Sequence, residues 1–508
     1  MAPTTTETQA LAAAATTTAA TKPHFILVPL PAHGHVIPMV DLARLLASRG
    51  ARASLLTTPL NVARLRGTAD AGQAARFRAP LDLELVELPF SPVNFGLPPD
   101  CQNADKVTDN AQFHSFLLAV RELAGPFEAY VRALEHRPSC IVYDWCNSWT
   151  AAVAGSLGIP RLFFQGPSCL YSLCDLMAYE HRLREKVAAA DGDEETMHVV
   201  PGVPVPVKVT KETVPGWFYA HGCEWLLDEA MAAMRTADGA VVNTFLELEA
   251  DFVACYEAAL GMPVWTLGPF CLVNNRDDDA EDKPRGSERV ITAWLDAQAP
   301  GSVVYVSFGS VARKLPRQLV EVGHGLEDSG EPFLWVVKES ELASPGVRPW
   351  LDALEARTAG RGLVVRGWAP QLAVLSHRAV GGFVTHCGWN SLLESIAHGV
   401  PAVTWPHFAD QFVNEQLAVD VLGVGLPVGA TTPVMILGDD AAAPVKRGDI
   451  ARAVSALMGG GEEAEQRRRK AKELGEKARG AMEEGGDSYE KLTRLIESFE
   501  HAGGGPAR

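Results

Sequence analysis

The sequence lacks the features that would place it in a membrane, in a disulfide framework or on nucleic acid. None of its apolar runs approaches the ~20 residues of a membrane-spanning helix. Its 9 cysteines are scattered and form no Cys-x-x-Cys pair, which favours reduced thiols in the cytoplasm. With 45 basic and 62 acidic residues, the net charge of −17 argues against a phosphate-binding nucleic-acid surface.

Several catalytic fingerprints are also missing. The sequence contains no GxxxxGK[ST] phosphate loop, no HExxH zinc motif and no GxSxG nucleophile elbow. No GxGxxG follows the first predicted strand, which disfavours a nicotinamide-dependent oxidoreductase but leaves it open as an alternative. We find no cluster of residues with metal-ligand spacing, so we expect no metal and no cofactor.

What is present is typical of a large globular protein. The chain has 508 residues, of which 47% are hydrophobic, and this length predicts two domains of about 200–250 residues. The first 21 residues are rich in alanine and threonine and contain no basic residue, unlike the start of a secretory signal. We interpret residues 1–21 as a disordered tail.

Apolar runs of strand length alternate with helical patterns along most of the chain. The first unit reads as a buried strand (25–30), a turn (31–35), a helix (36–50) and a second strand (51–58). The alternation recurs on both sides of a polar, acidic stretch at 273–290. This pattern predicts the α/β class, with two Rossmann-like doubly wound domains of parallel strands facing an interdomain cleft.

Ligands of such sheets bind beyond the carboxyl ends of the strands. Five of the predicted strand ends carry unusual polar sequences. They are PAHGH (31–35), YDWCNS (143–148), FGS (308–310), HCGWNS (386–391) and WPHFADQ (405–411).

The HCGWNS segment places Asn390 and Ser391 at the start of a helix, where unpaired N–H groups and the helix dipole favour an anion. Glu394 follows one turn later, and its carboxylate suits the paired hydroxyls of a ribose. Arg378 is the only lysine or arginine between 368 and 411, so we expect backbone amides and neutral side chains to hold a phosphate there. The alternative is an ordinary capped helix behind a buried strand.

Two further features suggest chemistry in the cleft. Trp368 lies in a loop and could stack on a planar base, although a core tryptophan is the simpler interpretation. His33 and His35 follow the first strand, where an imidazole is a candidate general base. Asp144 ends a buried strand and could orient that imidazole. The sequence alone leaves open which histidine it would contact.

The 44 residues from Trp368 to Gln411 closely resemble the signature box of plant secondary-product UDP-glycosyltransferases. The match includes WAPQ, HCGWNS, the glutamate three residues after that serine, and the closing Asp-Gln. PAHGHVIPM, VVNTFLELE, WTLGPF and VSFGS resemble landmarks of the same family in the same order, so that the resemblance covers roughly 22–500. It implies the two-domain GT-B arrangement, with the acceptor in the N-terminal domain and the sugar nucleotide in the C-terminal domain.

The resemblance implies a role for each site residue. In the N-terminal domain His35, rather than His33, would be the catalytic base and Asp144 its partner. The UDP-sugar site would comprise Trp368 and the backbone of Ala369 for uracil; Gln371 and Glu394 for ribose; Ser310, His386, Trp389 by its backbone, Asn390 and Ser391 for the diphosphate; and Asp410 and Gln411 for the sugar hydroxyls.

The resemblance also implies an inverting transfer of glucose from UDP-glucose to a hydroxyl of a small lipophilic plant metabolite, giving a β-O-glucoside. The acceptor would be a flavonoid, another phenolic, a terpenoid or a steroid, and the UDP-sugar would be a co-substrate. We expect a monomer. Gln411 is similar to the residue of glucose-preferring members, with UDP-galactose as the alternative donor. A catalytically silent sugar-nucleotide-binding protein is a further alternative.

These inferences divide the chain into five parts. They are a tail (1–21), an acceptor-binding domain (22–270), a linker (271–290), a UDP-sugar-binding domain (291–484) and a helix crossing back to the first domain (485–502). Asp487 and Glu490 suggest a capping box at the start of that last helix. The acceptor pocket is expected from 83–125 and 165–235. An apolar, aromatic-rich cavity is suggested by Phe90, Phe95, Phe113, Phe116, Trp145, Trp149, Trp217, Phe218 and Trp225, although for each of these residues a place in the core is the simpler interpretation.

Overall fold

The computed structural model describes nine stretches of the chain. They are 22–68, 81–107, 109–190, 196–216, 223–275, 287–309, 316–344, 346–434 and 442–500. The predicted tail 1–21, most of the predicted linker (276–286) and Ser310 lie outside them.

The first half of the chain builds a sheet of seven parallel strands and a two-stranded antiparallel hairpin. The strands are β1 His24–Val28, β2 Arg52–Thr57, β3 Leu83–Glu87, β4 Cys140–Asp144, β5 Arg161–Gln165, β6 His198–Val199, β7 Lys208–Val209, β8 Gly239–Val242 and β9 Val264–Thr266. The sheet order is β3-β2-β1-β4-β5-β8-β9, and β6 pairs with β7.

Helices connect these strands and cover the sheet. They are α1 His33–Ser48, α2 Pro59–Thr68, α3 Asn110–Arg121, α4 Ala124–Ala133, α5 Ser148–Ser156, α6 Cys169–Glu180, α7 Leu183–Ala189, α8 Glu224–Met234 and α9 Leu246–Leu260. Both faces of β1 are buried: Ile26 and Val28 join one core, and Phe25 and Leu27 join the other. This explains the continuous apolar run in the sequence.

The second half builds a sheet of six parallel strands. They are β10 Val303–Ser307, β11 Phe333–Val337, β12 Gly362–Arg366, β13 Val380–Thr385, β14 Ala402–Thr404 and β15 Gly425–Pro427, in the order β12-β11-β10-β13-β14-β15. The helices are α10 Ser287–Asp296, α11 Pro316–Ser329, α12 Glu339–Leu342, α13 Val347–Arg357, α14 Gln371–Leu375, α15 Trp389–Ala397, α16 Gln411–Gln416, α17 Arg447–Met458, α18 Glu462–Met482 and α19 Asp487–Phe499. The predicted fold class, with two parallel α/β domains, is confirmed.

The last helix packs on the N-terminal domain. The Arg49 guanidinium lies 3.3 Å from the ring centroid of Tyr489, and the Ser488 hydroxyl donates a hydrogen bond to the Gly268 carbonyl at 2.6 Å. The capping box is wrong: Gly486 is the N-cap, and Asp487 instead pairs with Lys491 at 2.9 Å. No helix in the described ranges is long and apolar enough to cross a membrane.

Candidate active site

Helix α1 begins earlier than the sequence suggests. The sequence predicts a turn over 31–35, but the structure places His33 and His35 in the first helical turn, after an extended Ala32. The backbone N–H of His35 donates to the Ala32 carbonyl at 2.9 Å. The prediction of a loop is therefore wrong here, and both imidazoles are attached to a rigid element.

The structure brings His35 and Asp144 together. His35 Nδ1 lies 2.7 Å from Asp144 Oδ2, and the second carboxylate oxygen accepts a hydrogen bond from the Cys146 backbone N–H at 3.0 Å. Asp144 is fully buried at the end of β4, whereas 30% of the His35 side chain is exposed. Because Nδ1 is held by the carboxylate, Nε2 is the nitrogen left for proton transfer.

The environment of His35 favours its protonated form. Burial disfavours the charged imidazole and lowers its pKa. The charge and the hydrogen bond of the Asp144 carboxylate act in the opposite direction, and the charge of Asp410 adds to their effect. Together the carboxylates outweigh burial, so the pKa of His35 lies above 6.5. A base of this kind accepts a proton more readily than a free imidazole does.

His33 has different surroundings. His33 is exposed, and the charges that influence it are those of Asp105 and Arg64, which pair with each other at 3.0 Å. Burial of part of the ring lowers the pKa of His33. The geometry therefore favours His35 as the partner of Asp144, which the sequence left open.

One group of described residues has the donor set of a metal site. It comprises His35, Asp144 and Cys146, whose ligand atoms lie within 4.8 Å of one another. Both Asp144 oxygens and His35 Nδ1 already take part in hydrogen bonds, and burial raises the pKa of the Cys146 thiol well above its usual value. These contacts fit a hydrogen-bonded histidine–aspartate pair better than a metal cage.

A second polar cluster lies at the start of α14 and α15. The Gln371 side-chain amide donates to Ser391 Oγ at 2.9 Å and to Glu394 Oε2 at 2.7 Å. Burial raises the pKa of Glu394 to about 7, against the effect of the Gln371 hydrogen bond. Trp368 precedes Gln371 by three residues and is 68% exposed, whereas Ala369 is buried. An exposed indole next to polar groups suits stacking on a planar base.

The helix start after β13 contacts the N-terminal domain. The Asn390 side-chain amide donates to the Gly34 carbonyl at 2.8 Å, and the Trp389 indole N–H donates to the Asn243 carbonyl at 2.8 Å. The Trp389 indole is therefore engaged with the other domain. This leaves only the Trp389 backbone for the contact with the sugar nucleotide that the resemblance implies. These two bonds place the helix start opposite His35.

His386 and the loop after β14 complete the same edge. Burial lowers the pKa of His386 to about 3, so the ring is neutral, and its Nδ1 has no hydrogen-bond partner in the described structure. Burial raises the pKa of Asp410 to about 6 despite a hydrogen bond from Asn414. Gln411 is buried, and its Oε1 accepts the backbone N–H groups of His407 and Phe408, at 2.8 and 3.1 Å, so its amide N–H₂ is the part left for a sugar.

Sequence reasoning missed Asn414. Its Nδ2 donates to the Cys387 carbonyl at 3.0 Å and to Asp410 Oδ2 at 2.6 Å, and its Oδ1 accepts the Ser168 hydroxyl at 2.9 Å. Asn414 therefore links Asp410, in the loop after β14, to Ser168 at the start of α6 in the other domain. The available signal was its position one helical turn after Asp410 and Gln411, which places Asn414 on the same face of α16 as those two residues.

The aromatic residues proposed for the acceptor pocket separate into two groups. Phe116, Trp145 and Trp149 are buried in the core beside α5, and Phe90 packs edge-on against Phe116 at 6.3 Å between ring centroids. Phe95, Phe113 and Trp225 are partly exposed. Trp217 and Phe218 lie outside the described residues.

The structure has two parallel α/β sheets, and the Asn390–Gly34 hydrogen bond places the start of α15 beside the helical turn that carries His35. This two-domain arrangement is that of the GT-B fold. Two family models match the chain: "Glycosyltransferase, N-terminal domain" over 24–272, and "UDP-glucoronosyl and UDP-glucosyl transferase" over 240–432. The chain is 40% identical to the scopoletin glucosyltransferase of Nicotiana tabacum over 487 residues, which cover 94% of this chain and 98% of the relative. This protein belongs to the plant UDP-glycosyltransferase family and is a glycosyltransferase.

Solved structures agree with this assignment. Glycyrrhiza uralensis UGT73P12, complexed with glycyrrhetinic acid 3-O-monoglucuronide, has a TM-score of 0.83 and 34% identity, covering 95% of this chain and 96% of that one. Medicago truncatula UGT71G1, complexed with UDP-glucose, has a TM-score of 0.75 and 25% identity, covering 94% and 98%. The chain therefore combines a sugar-nucleotide site with a site for a small plant metabolite.

Proposed function

We propose that this enzyme transfers glucose from UDP-glucose to a hydroxyl of a small lipophilic plant metabolite with inversion, giving a β-O-glucoside. The observation that carries the proposal is the hydrogen bond of 2.7 Å between His35 and Asp144, opposite the start of α15. A polarised imidazole facing an anion-suited helix end supplies the two groups that displacement of a diphosphate needs.

In the proposed reaction His35 Nε2 takes the proton of the acceptor hydroxyl. The acceptor oxygen forms a bond to the anomeric carbon, and the bond between that carbon and the diphosphate oxygen breaks, with its electron pair leaving on UDP. Attack from the face opposite UDP turns an α-linked donor into a β-glycoside. Asp144, fully buried, stabilises the imidazolium as it forms.

We assign the donor along the edge of the second sheet. Uracil stacks on the exposed Trp368, and its edge is read by the Ala369 backbone. The ribose hydroxyls bind Gln371 and Glu394, which already contact each other at 2.7 Å. The diphosphate lies at the start of α15, where the positive end of the helix dipole stabilises the charge that develops on UDP.

Glucose and a phenolic acceptor are supported by one relative's name, scopoletin glucosyltransferase, which describes a sugar and a phenol for that protein. The partly exposed aromatic rings of Phe95, Phe113 and Trp225 suit a planar apolar acceptor. Terpenoid acceptors are supported equally by the glycyrrhetinic acid derivative bound to UGT73P12, so both phenols and terpenoids belong in the acceptor screen.

The direct test incubates the protein with a library of hydroxylated aglycones and either UDP-glucose or UDP-galactose. We expect a mass gain of one hexose with UDP-glucose, and the large anomeric coupling constant of a β-glucoside in the product's proton spectrum. A product with an α linkage would overturn the inverting mechanism. Faster transfer from UDP-galactose would overturn the donor assignment, and UDP binding without transfer to any acceptor would favour a silent binding protein.

A further inference from the structure

Lys338 directly follows β11 at the carboxyl edge of the second sheet. Val306 of β10 pairs with Trp335 of β11 on one side and with Val384 of β13 on the other, so these strand ends are level. Lys338 and His386 therefore leave the sheet on either side of β10, with backbones about 10 Å apart at a strand spacing of about 4.8 Å. Lysine and histidine side chains that lean over β10 can approach each other across this gap.

The His386 ring does lean over β10. A Cβ atom built on Gly309, the second residue after β10, would lie 2.5 Å from His386 Cε1 and 2.6 Å from Nε2. Gly309 also has a φ of +69°, which other residues adopt rarely. The absence of a side chain at Gly309 thus admits the imidazole to the space between β13 and β11.

Three side-chain nitrogens at this edge are buried and have no hydrogen-bond partner in the described structure. They are Lys338 Nζ, His386 Nδ1 and His407 Nδ1. The rings of His386 and His407 are 6.3 Å apart. After burial, the charge of Lys338 contributes to the low pKa of both histidines, so the three groups form one electrostatic cluster. Buried polar atoms without partners are costly, and an anionic ligand that accepted hydrogen bonds from this cluster would remove that cost.

Glu341 does not neutralise this lysine through an ion pair. Its Oε2 accepts the Lys338 backbone N–H at 2.8 Å, and the described ion pairs include none between the two side chains. Burial therefore lowers the pKa of the Lys338 ammonium to about 8, although the Glu341 charge acts in the opposite direction. A buried ammonium with no paired anion favours an anionic ligand.

We propose that the Lys338 ammonium binds the diphosphate of the sugar nucleotide and stabilises UDP as the leaving group. The proposal rests on the proposed function, in which UDP leaves at the edge shared by β10, β11 and β13. It revises the expectation that backbone and neutral side chains hold the phosphate alone, which considered only the stretch 368–411. Lys338 lies upstream of that stretch and reaches the edge through β11.

The test compares UDP with uridine, which lacks both phosphates, by calorimetry on Lys338→Met and on the matched control Lys477→Met. Lys477 is exposed on α18. We expect Lys338→Met to weaken UDP binding about tenfold or more, or ~1.4 kcal/mol, while uridine affinity stays within about twofold. The control should bind both ligands as the wild type does. Uridine binding also reports whether the variant is folded, and Lys338→Gln provides a second substitution.

Proton uptake gives an independent measurement. Pairing with a diphosphate should raise the pKa of Lys338 from about 8, so UDP binding near pH 8.5 should take up protons. Among the facing groups, the pKa values of His386 and His407 are about 3, too low to titrate there, and Glu341 is an acid whose pKa is raised from 4.5. Calorimetry in two buffers of different ionisation enthalpy should show uptake in the wild type and none in Lys338→Met.

Two outcomes separate this assignment from the proposed function. If Lys338→Met binds UDP as tightly as the wild type, or loses uridine and UDP affinity equally, Lys338 does not hold the diphosphate. If the wild type itself binds no UDP, the proposed function fails and this assignment fails with it.

Discussion

The side-chain amide of Asn390 donates a hydrogen bond of 2.8 Å to the carbonyl of Gly34, which lies between His33 and His35. One residue earlier, the Trp389 indole reaches the Asn243 carbonyl at the same distance. The helix assigned to the leaving group and the helix that carries the base therefore share one hydrogen-bonded frame. Such a frame fixes the separation between the base and the donor, on which in-line displacement depends.

Trp389→Phe should weaken this frame while retaining an aromatic ring. The Asn243 carbonyl loses its donor, and the free energy of unfolding should fall by about 1–3 kcal/mol, measured by urea denaturation. Trp294→Phe, at a partly buried position on α10, is the matched control. Equal stability of the two variants would show that the indole bond contributes nothing to the interface.

Glu394→Ala should weaken UDP and uridine to a similar degree. Both ligands carry the ribose that we assign to Glu394, and loss of a charge-assisted hydrogen bond of about 1.5–3 kcal/mol corresponds to roughly tenfold or more in affinity. This differs from Lys338→Met, which should discriminate between the two ligands. Unchanged UDP affinity in Glu394→Ala would mean that the ribose lies elsewhere.

The rate should depend on pH through His35. The pKa of His35 lies above 6.5, and only the neutral ring accepts a proton, so the rate should fall as pH drops through that raised pKa. Asp144→Asn removes the charge that raises the pKa, so the acidic limb should move to lower pH, and the plateau rate should fall by about 100-fold or more. Initial rates between pH 5 and 9 check both effects. If the acidic limb of the pH–rate profile lies at the same pH in Asp144→Asn as in the wild type, Asp144 does not set the pKa of the base.

The same pair has a consequence for stability. Because the folded pKa of His35 is raised, its ion pair with Asp144 contributes fully below the unfolded value of 6.5 and is lost as pH rises through the folded pKa. Urea midpoints of the wild type should therefore decline across that window more than those of Asp144→Asn. Parallel declines would contradict the pairing.

The last helix should stabilise the N-terminal domain. Leu492 of α19 is 1% exposed in the same core as Phe25 of β1. Leu492→Ala should lower the free energy of unfolding by about 2–5 kcal/mol, whereas Glu497→Ala, on the exposed face of α19, should have little effect. A small loss for Leu492→Ala would show that α19 is only loosely packed.

The buried strands could be predicted because their signal is local. Phe333–Val337 and Val303–Ser307 are short apolar runs bounded by polar residues, and the run itself indicates a strand covered on both faces. The start of α1 could not, since a segment that contains Pro31 and Gly34 resembles a turn. The first N–H groups of a helix need no internal partner, so a helix can begin there after an extended Ala32.

The family resemblance of the segment from Trp368 to Gln411 could be recognised from the sequence because its residues are contiguous, but the contacts that hold this segment in place could not. Asn414 bonds Ser168 and Trp389 bonds Asn243, pairs separated by 246 and 146 residues. Lys338 was missed for the same reason: only the strand order places it at the edge occupied by His386. Sequence spacing carries no information on such contacts until the sheet topology is known.

The central claim is that His35, held by Asp144, removes the acceptor proton. The most direct measurement is the initial rate of UDP release from UDP-glucose with a responsive phenol, for the wild type, His35→Ala and His33→Ala, alongside UDP affinity. We predict a loss of about 100-fold or more for His35→Ala with UDP affinity unchanged, and a near-normal rate for His33→Ala. A near-normal rate for His35→Ala, or an equal loss in both variants, would contradict it.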